Sequence, residues 1–208
     1  MFLACEIYMK FIPLLETRYV GKRKEIADLF SIVNKNGNTV SSLYILDDKG
    51  VKKNHPSLSL HQYAHRWFDT IVDAGCLHVG DVVDVILAGA DIIVIRPTLW
   101  SEPDFLSVRD ISESKLYVWY DPFEKEKRNT NLTVLFSQAD GIVFNAENIP
   151  SPIPFIIREK LNALIATHDV DHVFVFDPKK IHERELRTFG LNSMIVEVDN
   201  YDFKSDEL

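Results

Sequence analysis

Eight short apolar runs, spaced about 25 residues apart, constrain this 208-residue chain more than any other feature of it. They begin near residues 11, 42, 70, 92, 116, 141, 172 and 194. They are rich in β-branched and aromatic residues and are continuously apolar, not alternating. That is the pattern of parallel strands covered on both faces. The repeat length accommodates one strand, one helix and two short loops. Six of the runs end in a carboxylate, at Glu16, Asp47, Asp73, Asp121, Asp177 and Asp199. The other two end in Arg96 and Asn145. In a parallel sheet all eight residues emerge at one carboxyl edge, where α/β folds place their sites.

Helical spacing fills the intervals. Ile26, Leu29, Phe30 and Val33 form an amphipathic stripe within 22–35. Val79, Val82, Val83, Ile86 and Leu87 form another, which Gly89 terminates. Ser101 and Asp177 read as helix caps, with Pro103 and Pro178 in the first turns that follow. Pro152–Ala166 reads as a helix with Phe155, Ile156, Leu161, Leu164 and Ile165 on its buried face; a strand at Ala163–Ala166 is the alternative. No composition break marks a linker, so residues 1–208 are read as one (β/α)8 barrel. It would be a small one, since Asn200–Leu208 leaves no visible final helix. An open doubly wound sheet is the competing architecture. Without a last helix, dimerisation would cover the eighth strand.

The net charge is −8 and the basic residues form only short clusters, Lys22–Lys24 and Lys125–Arg128. That argues against nucleic acid as partner. Cys5 and Cys76 suggest neither a disulfide framework nor a zinc site, which fits a reducing cytoplasm. No run approaches a membrane span, and Met1–Met9, interrupted by Glu6, makes a poor signal peptide. Ser205–Leu208 looks like an endoplasmic-reticulum retention tetrapeptide, but without a leader it reads as coincidence.

The opening Met9-Lys-Phe-Ile-Pro-Leu-Leu-Glu16, the strand and turn Leu43–Gly50, the Ala88-Gly-Ala-Asp91 turn before its strand, and Lys115–Asp121 together resemble the phosphoribosyl isomerase and cyclase barrels of histidine biosynthesis. The isomerase is the nearer of the two. The resemblance covers residues 43–123 best and implies that Met9 is the original start. It also implies that Glu16 and Asp121 form an acid–base pair, able to open an aminoribose by donating and accepting protons. The phosphate turns of that family are missing. Asp73-Ala-Gly-Cys-Leu-His78 keeps only Gly75, the fourth strand ends Arg96-Pro-Thr98, and the seventh ends at Asp177 without glycine. Asp73, Asp177 and Asp199 would each repel a dianionic phosphate by ~1 kcal/mol, which Arg96, Lys179 and Lys180 offset in part.

The chain is therefore expected to act on a small polar metabolite, phosphorylated and sugar-derived if the resemblance holds, through Glu16 and Asp121. Asp47, Asp73, Gly75, Arg96, Thr98, Asn145 and Asp177 would line the pocket. A barrel that has lost catalysis and serves as a binding or scaffolding subunit is the alternative. Carboxylates crowded at one rim raise one another's pKa values unless a cation sits among them, so a divalent ion is the one cofactor considered. No protein metal ligands are assigned. His61 and His65 read as solvated, His168 and His172 as lying at the amino end of the barrel, and Cys76 as a small buried residue. Trp67, Trp100 and Trp119 read as packing.

Overall fold

The structure, a computed structural model, describes residues 9–17, 23–33, 40–100, 104–124 and 132–198. Eight parallel strands close into a barrel in sequence order. They are β1 (Lys10–Glu16), β2 (Ser42–Leu46), β3 (Asp69–Asp73), β4 (Ile92–Ile95), β5 (Lys115–Tyr120), β6 (Gly141–Asn145), β7 (Val173–Phe176) and β8 (Ser193–Glu197). Each falls on one of the eight apolar runs, and closure leaves no strand edge to cover. The fold is a (β/α)8 barrel and not an open sheet. Whether a last helix follows β8 lies outside the described residues.

The helices α1 (Arg23–Val33), α4 (Val79–Leu87), α5 (Phe105–Arg109), α7 (Phe155–His168) and α8 (Glu183–Thr188) surround the strands. So do the less expected α2 (Asp48–Lys53), α3 (Leu58–Ala64) and α6 (Leu132–Gln138). Several details differ from the sequence reading. Asp104 caps α5 by accepting the Ser107 amide at 3.0 Å, while Ser101–Pro103 lie outside the described residues. α8 begins at Glu183, not at Pro178, because Asp177 turns to bind the His182 amide and the chain loops before it coils. Ala163–Ala166 is helical. The face of α7 is also rotated from expectation: Ile157, Leu161 and Leu164 are buried, whereas Phe155 and Ile156 are exposed. Leu87 is exposed as well, since Val82 and Val85 carry the contact of α4.

Side chains alternate between the helix layer and the lumen, and the strand register stacks the lumen residues in layers drawn from alternate strands. Ile12, Ile71, Tyr117 and Phe174 form a lower layer. Tyr44, Val94, Val143 and Ile195 lie above it, and Leu14, Asp73, Trp119 and Phe176 above those. Ring contacts bind these layers: Tyr117 to Phe174 at 5.0 Å, Trp119 to Phe176 at 5.2 Å and Tyr44 to Phe176 at 5.8 Å between centroids. The next layer is Leu46, Arg96, Asn145 and Glu197, with Glu16 and Asp121 at the top. The lumen thus runs from dry and aromatic to polar toward its carboxyl mouth.

Beside that mouth, helix α2 and the β3–α4 connection touch backbone to backbone. A Cβ on Gly50 would fall 2.2 Å from the Ala74 carbonyl oxygen, and one on Gly75 would fall 2.5 Å from Val51 Cα. Gly75 also has φ +66°, a left-handed value that favours glycine. Gly50→Ala gives opposite predictions by two routes. Helix propensity alone would stabilise by ~1 kcal/mol, whereas the backbone overlap costs about 2 kcal/mol or more. The overlap is the larger, so the urea midpoint of Gly50→Ala is expected to fall.

Candidate active site at the carboxyl mouth

Position along the strand sorts the eight terminal residues into two groups. Glu16, Asp73, Arg96, Asp121 and Asn145 continue the inward alternation of Leu14, Ile71, Val94, Trp119 and Val143. Asp47 and Asp177 are one residue out of phase, following inward Leu46 and Phe176, and so point away from the lumen. Glu197, two residues after Ile195, joins the inward group. Asp199 lies outside the described residues.

The inward group is organised around Arg96. Its Nε donates to both Asp73 oxygens at 3.0 and 2.9 Å, and Nη2 donates to Asp73 Oδ2 at 2.7 Å. The guanidinium carbon lies 4.2 Å from the centroid of the Trp119 ring, a cation–π contact. Tyr44 adds its hydroxyl to Asp73 Oδ2 at 3.1 Å. Asp73 is fully buried, yet three donor groups meet its carboxylate. Burial by itself would weaken the charge of Arg96, but Asp73 more than compensates and holds its pKa above the ordinary arginine value. For Tyr44, burial and then the Asp73 charge act together and push the phenol well up.

At the top, Asp121 accepts the Phe123 amide and the Asn145 Nδ2 group, both at 2.8 Å. Asn145 is held in that orientation because its Oδ1 receives the Glu147 amide at 3.1 Å. Glu16 and Asp121 stand at one level on β1 and β5, four strands apart in an eight-stranded barrel, and so face each other across the mouth. Thr98 sits in the turn after β4, where the Leu99 and Trp100 amides close onto the Arg96 carbonyl. Gly75 serves backbone packing, as described above. Among the described residues no three His, Cys, Asp or Glu side chains converge where they could hold a metal ion.

The two outward acids, expected to line a pocket, lie behind the barrel wall, each paired with a histidine. Asp47 is buried and caps α2, accepting the Lys49 and Gly50 amides at 3.2 Å. It also accepts the Thr17 hydroxyl at 3.1 Å, the Ser57 amide at 2.5 Å and His61 Nε2 at 2.8 Å. Asp177, likewise buried, receives the His182 amide at 2.7 Å and its Nδ1 at 3.2 Å. Neither reaches the lumen. His61 is therefore fully buried, not solvated, while His65 remains half-exposed with Asp91 at 3.4 Å. His172 meets the Tyr117 hydroxyl at 3.2 Å, far below the mouth. Cys76 is buried, and burial, reinforced by Asp81 and Asp73, pushes its thiol up to about 12. The neutral thiol is favoured there.

Tyr44, Trp119 and Glu197 escape a reading that looks only at the ends of runs. Counting in twos finds Glu197 from Ile195, Trp119 back from Asp121 and Tyr44 back from Leu46.

No protein-family model and no curated protein matches this sequence. Solved structures share its fold. A dihydrodipicolinate synthase family protein from Coccidioides immitis superposes with a TM-score of 0.59 at 14% identity, covering 89% of this chain and 65% of its own. The dihydrodipicolinate synthase of Agrobacterium tumefaciens gives 0.60 at 14%, covering 94% and 71%. A chain of the tryptophan synthase complex from Pyrococcus furiosus gives 0.59 at 14%, covering 90% and 86%. The chain thus spans about two thirds of the length of the first two. At such identities the likeness is one of fold. These neighbours, with no matching family model, overturn the resemblance to the histidine-pathway isomerases. Among the described residues no helix is long and apolar enough to cross a membrane.

Burial alone would raise the Asp47 carboxyl. The His61 hydrogen bond, the Ser57 amide, the His61 charge and the Gly50 amide outweigh it and bring the carboxyl from an ordinary 3.8 down to about 2. A depressed folded-state pKa gives stability that is complete above pH 3.8 and lost as pH falls through 2, amounting to about 2 kcal/mol. Denaturant titrations between pH 5 and 2 are expected to show that loss in the native protein and to show it much reduced in Asp47→Asn.

Proposed function

We propose that the carboxyl mouth is an active site for acid–base chemistry on a small polar metabolite, with Glu16 and Asp121 as the two proton-transfer groups. The observation that carries this reading is the polarity gradient inside the barrel. Three aromatic and aliphatic layers with one buried carboxylate give way to Arg96, Asn145, Glu197, Glu16 and Asp121. Polar side chains turned into a barrel lose solvent, and stability alone does not call for them. Two carboxyls facing each other can divide the roles of donor and acceptor on opposite faces of one ligand. Asn145 fixes Asp121 at 2.8 Å, so one of the two is preorganised. The solved structures of this fold named above belong to enzymes of small-molecule synthesis, which accords with the reading.

A silent barrel is the second reading. It is favoured by the closed Asp73–Arg96–Trp119 contact, which satisfies itself without a ligand.

A thermal-shift screen against small polar metabolites separates them. A true ligand at 100 times its Kd stabilises by ~2.7 kcal/mol, or roughly 5–10 °C for a chain of this size. Glu16→Gln and Asp121→Asn are expected to fold normally and to lose most of that shift. A metabolite that stabilises both variants as well as the native protein sinks the first reading.

A further inference from the structure

The outer faces of α4 and α5, neighbouring helices that pack against each other, carry apolar side chains that the barrel does not use. Leu87, the last residue of α4, is 76% exposed; Leu106, in the first turn of α5, is 70% exposed; Ile111, just past α5, is 56% exposed. The connection that holds Ile111 runs beside the end of α4. Ser114 Oγ donates to the Ala90 carbonyl at 3.3 Å, and the Lys115 amide donates to the Asp91 carbonyl at 3.1 Å. The three side chains thus border one strip of the helix layer. Scattered apolar residues on a surface need no explanation, but a group of them on adjoining elements marks a contact. The strip lies apart from the mouth, and nothing argued for it rests on the chemistry proposed there.

Charge identifies the chemistry of what covers it. Asp84 shares the exposed face of α4 with Leu87, three residues on, and Asp110 shares that of α5 with Leu106, four residues back. Asp104 and Glu113 flank them, both exposed. Asp84 stands in the last turn of α4, which has no basic residue, and Asp110 is the C-cap of α5. A helix dipole disfavours negative charge at that end. Among the described residues no lysine or arginine pairs with Asp84, Asp110 or Glu113. Arg109 is committed to Asp140 at 3.0 Å and to the Gln138 carbonyl at 2.9 Å, which leaves Lys115, opening β5, as the nearby counter-charge. The closed barrel has no strand edge on which an extended peptide could add, whereas two helices side by side offer ridges to a third. A second copy set face to face on the same strip would bring acid against acid, and an anionic membrane would be repelled. We propose that the α4–α5 face docks a cationic amphipathic helix of a partner protein. Its apolar side seats on Leu87, Leu106 and Ile111, and its lysines or arginines meet Asp84, Asp110 and Glu113.

The probe is a fluorescein-labelled Leu/Lys peptide of about four helical turns, with leucines on one face and lysines on the other. A Leu/Glu peptide of the same pattern reverses the charge, and a Gln/Lys peptide keeps the charge without the leucines. Fluorescence anisotropy against the full chain is expected to saturate with the Leu/Lys peptide, at a Kd about 10-fold or more below that of either counterpart. Leu87→Ser/Leu106→Ser and, separately, Asp84→Asn/Asp110→Asn should each raise that Kd about 10-fold. All four side chains are exposed, so the thermal midpoint of both variants should stay at the native value. Phe155→Ser/Ile156→Ser, an exposed apolar pair followed on α7 by Arg158 and Lys160, should bind as the native chain does. Absence of saturable binding overturns the proposal. So does equal binding of the Leu/Lys and Gln/Lys peptides, since bulk charge would then suffice. Native affinity in Leu87→Ser/Leu106→Ser, or a loss in Phe155→Ser/Ile156→Ser as large as theirs, overturns it too. A native dimer in light scattering that Leu87→Ser/Leu106→Ser dissolves would give the strip to a second copy and overturn the heterologous helix.

Discussion

Closure of the sheet with a period of two is the constraint from which the other features follow. In a closed barrel every strand residue faces either the lumen or the helix layer, and a shift of one position exchanges the two. Leu46 and Phe176 face in, so Asp47 and Asp177 face out and become anchors for α2, α3 and the loop before α8. Trp119 faces in, so Asp121 does too. One chemical group, a carboxylate at the end of a strand, thus does two jobs set by phase. The outward copies are held by backbone amides and a histidine each. Of the inward copies, Asp73 is held by Arg96 and Tyr44, and Asp121 by Asn145 and the Phe123 amide.

The Asp73–Arg96 pair marks the boundary between these regimes inside the lumen. Below it the layers hold aromatic and aliphatic side chains; above it they are polar. An ion pair in such a place loses several kcal/mol of solvation per charge, and apolar residues of similar volume would hold the barrel as well or better. Its three Arg–Asp hydrogen bonds, the Tyr44 hydroxyl and the Trp119 face make it tolerable. They do not make it necessary for folding.

All eight strands were legible from the sequence because continuous β-branched runs of four to seven residues at a regular interval admit few other arrangements. Helix faces were less so: on α7 the apolar run includes Phe155, Ile156 and Ile157, and only packing decides that Ile157 is the buried one. The site was half legible. Glu16, Asp73, Arg96, Asp121 and Asn145 are visible as the ends of runs, but their separation from Asp47 and Asp177 depends on phase, which a run with no alternation conceals. His61 hides for a related reason. Nothing around it in the sequence announces the buried Asp47 that draws it in.

The family resemblance failed at an instructive place. Its most recognisable stretch, Ala88-Gly-Ala-Asp91, builds the amino end of the barrel. Gly89 has φ +95° and lies against His65, and Asp91 Oδ2 receives the Thr70 amide at 2.7 Å. Ala139-Asp140-Gly141 repeats the device before β6, where Asp140 Oδ2 receives the Leu116 amide at 2.8 Å. In both cases an aspartate opening one strand ties down the strand before it, a requirement of the fold that any chemistry at the far end could share. The phosphate-gripping turns belong to the opposite end, and there this chain has Gly75 locked against Val51 and Asp73 committed to Arg96. Likeness at the amino end therefore reports on how the barrel closes. The proposed site lies at the carboxyl end, in the phase of Glu16, Arg96 and Asp121.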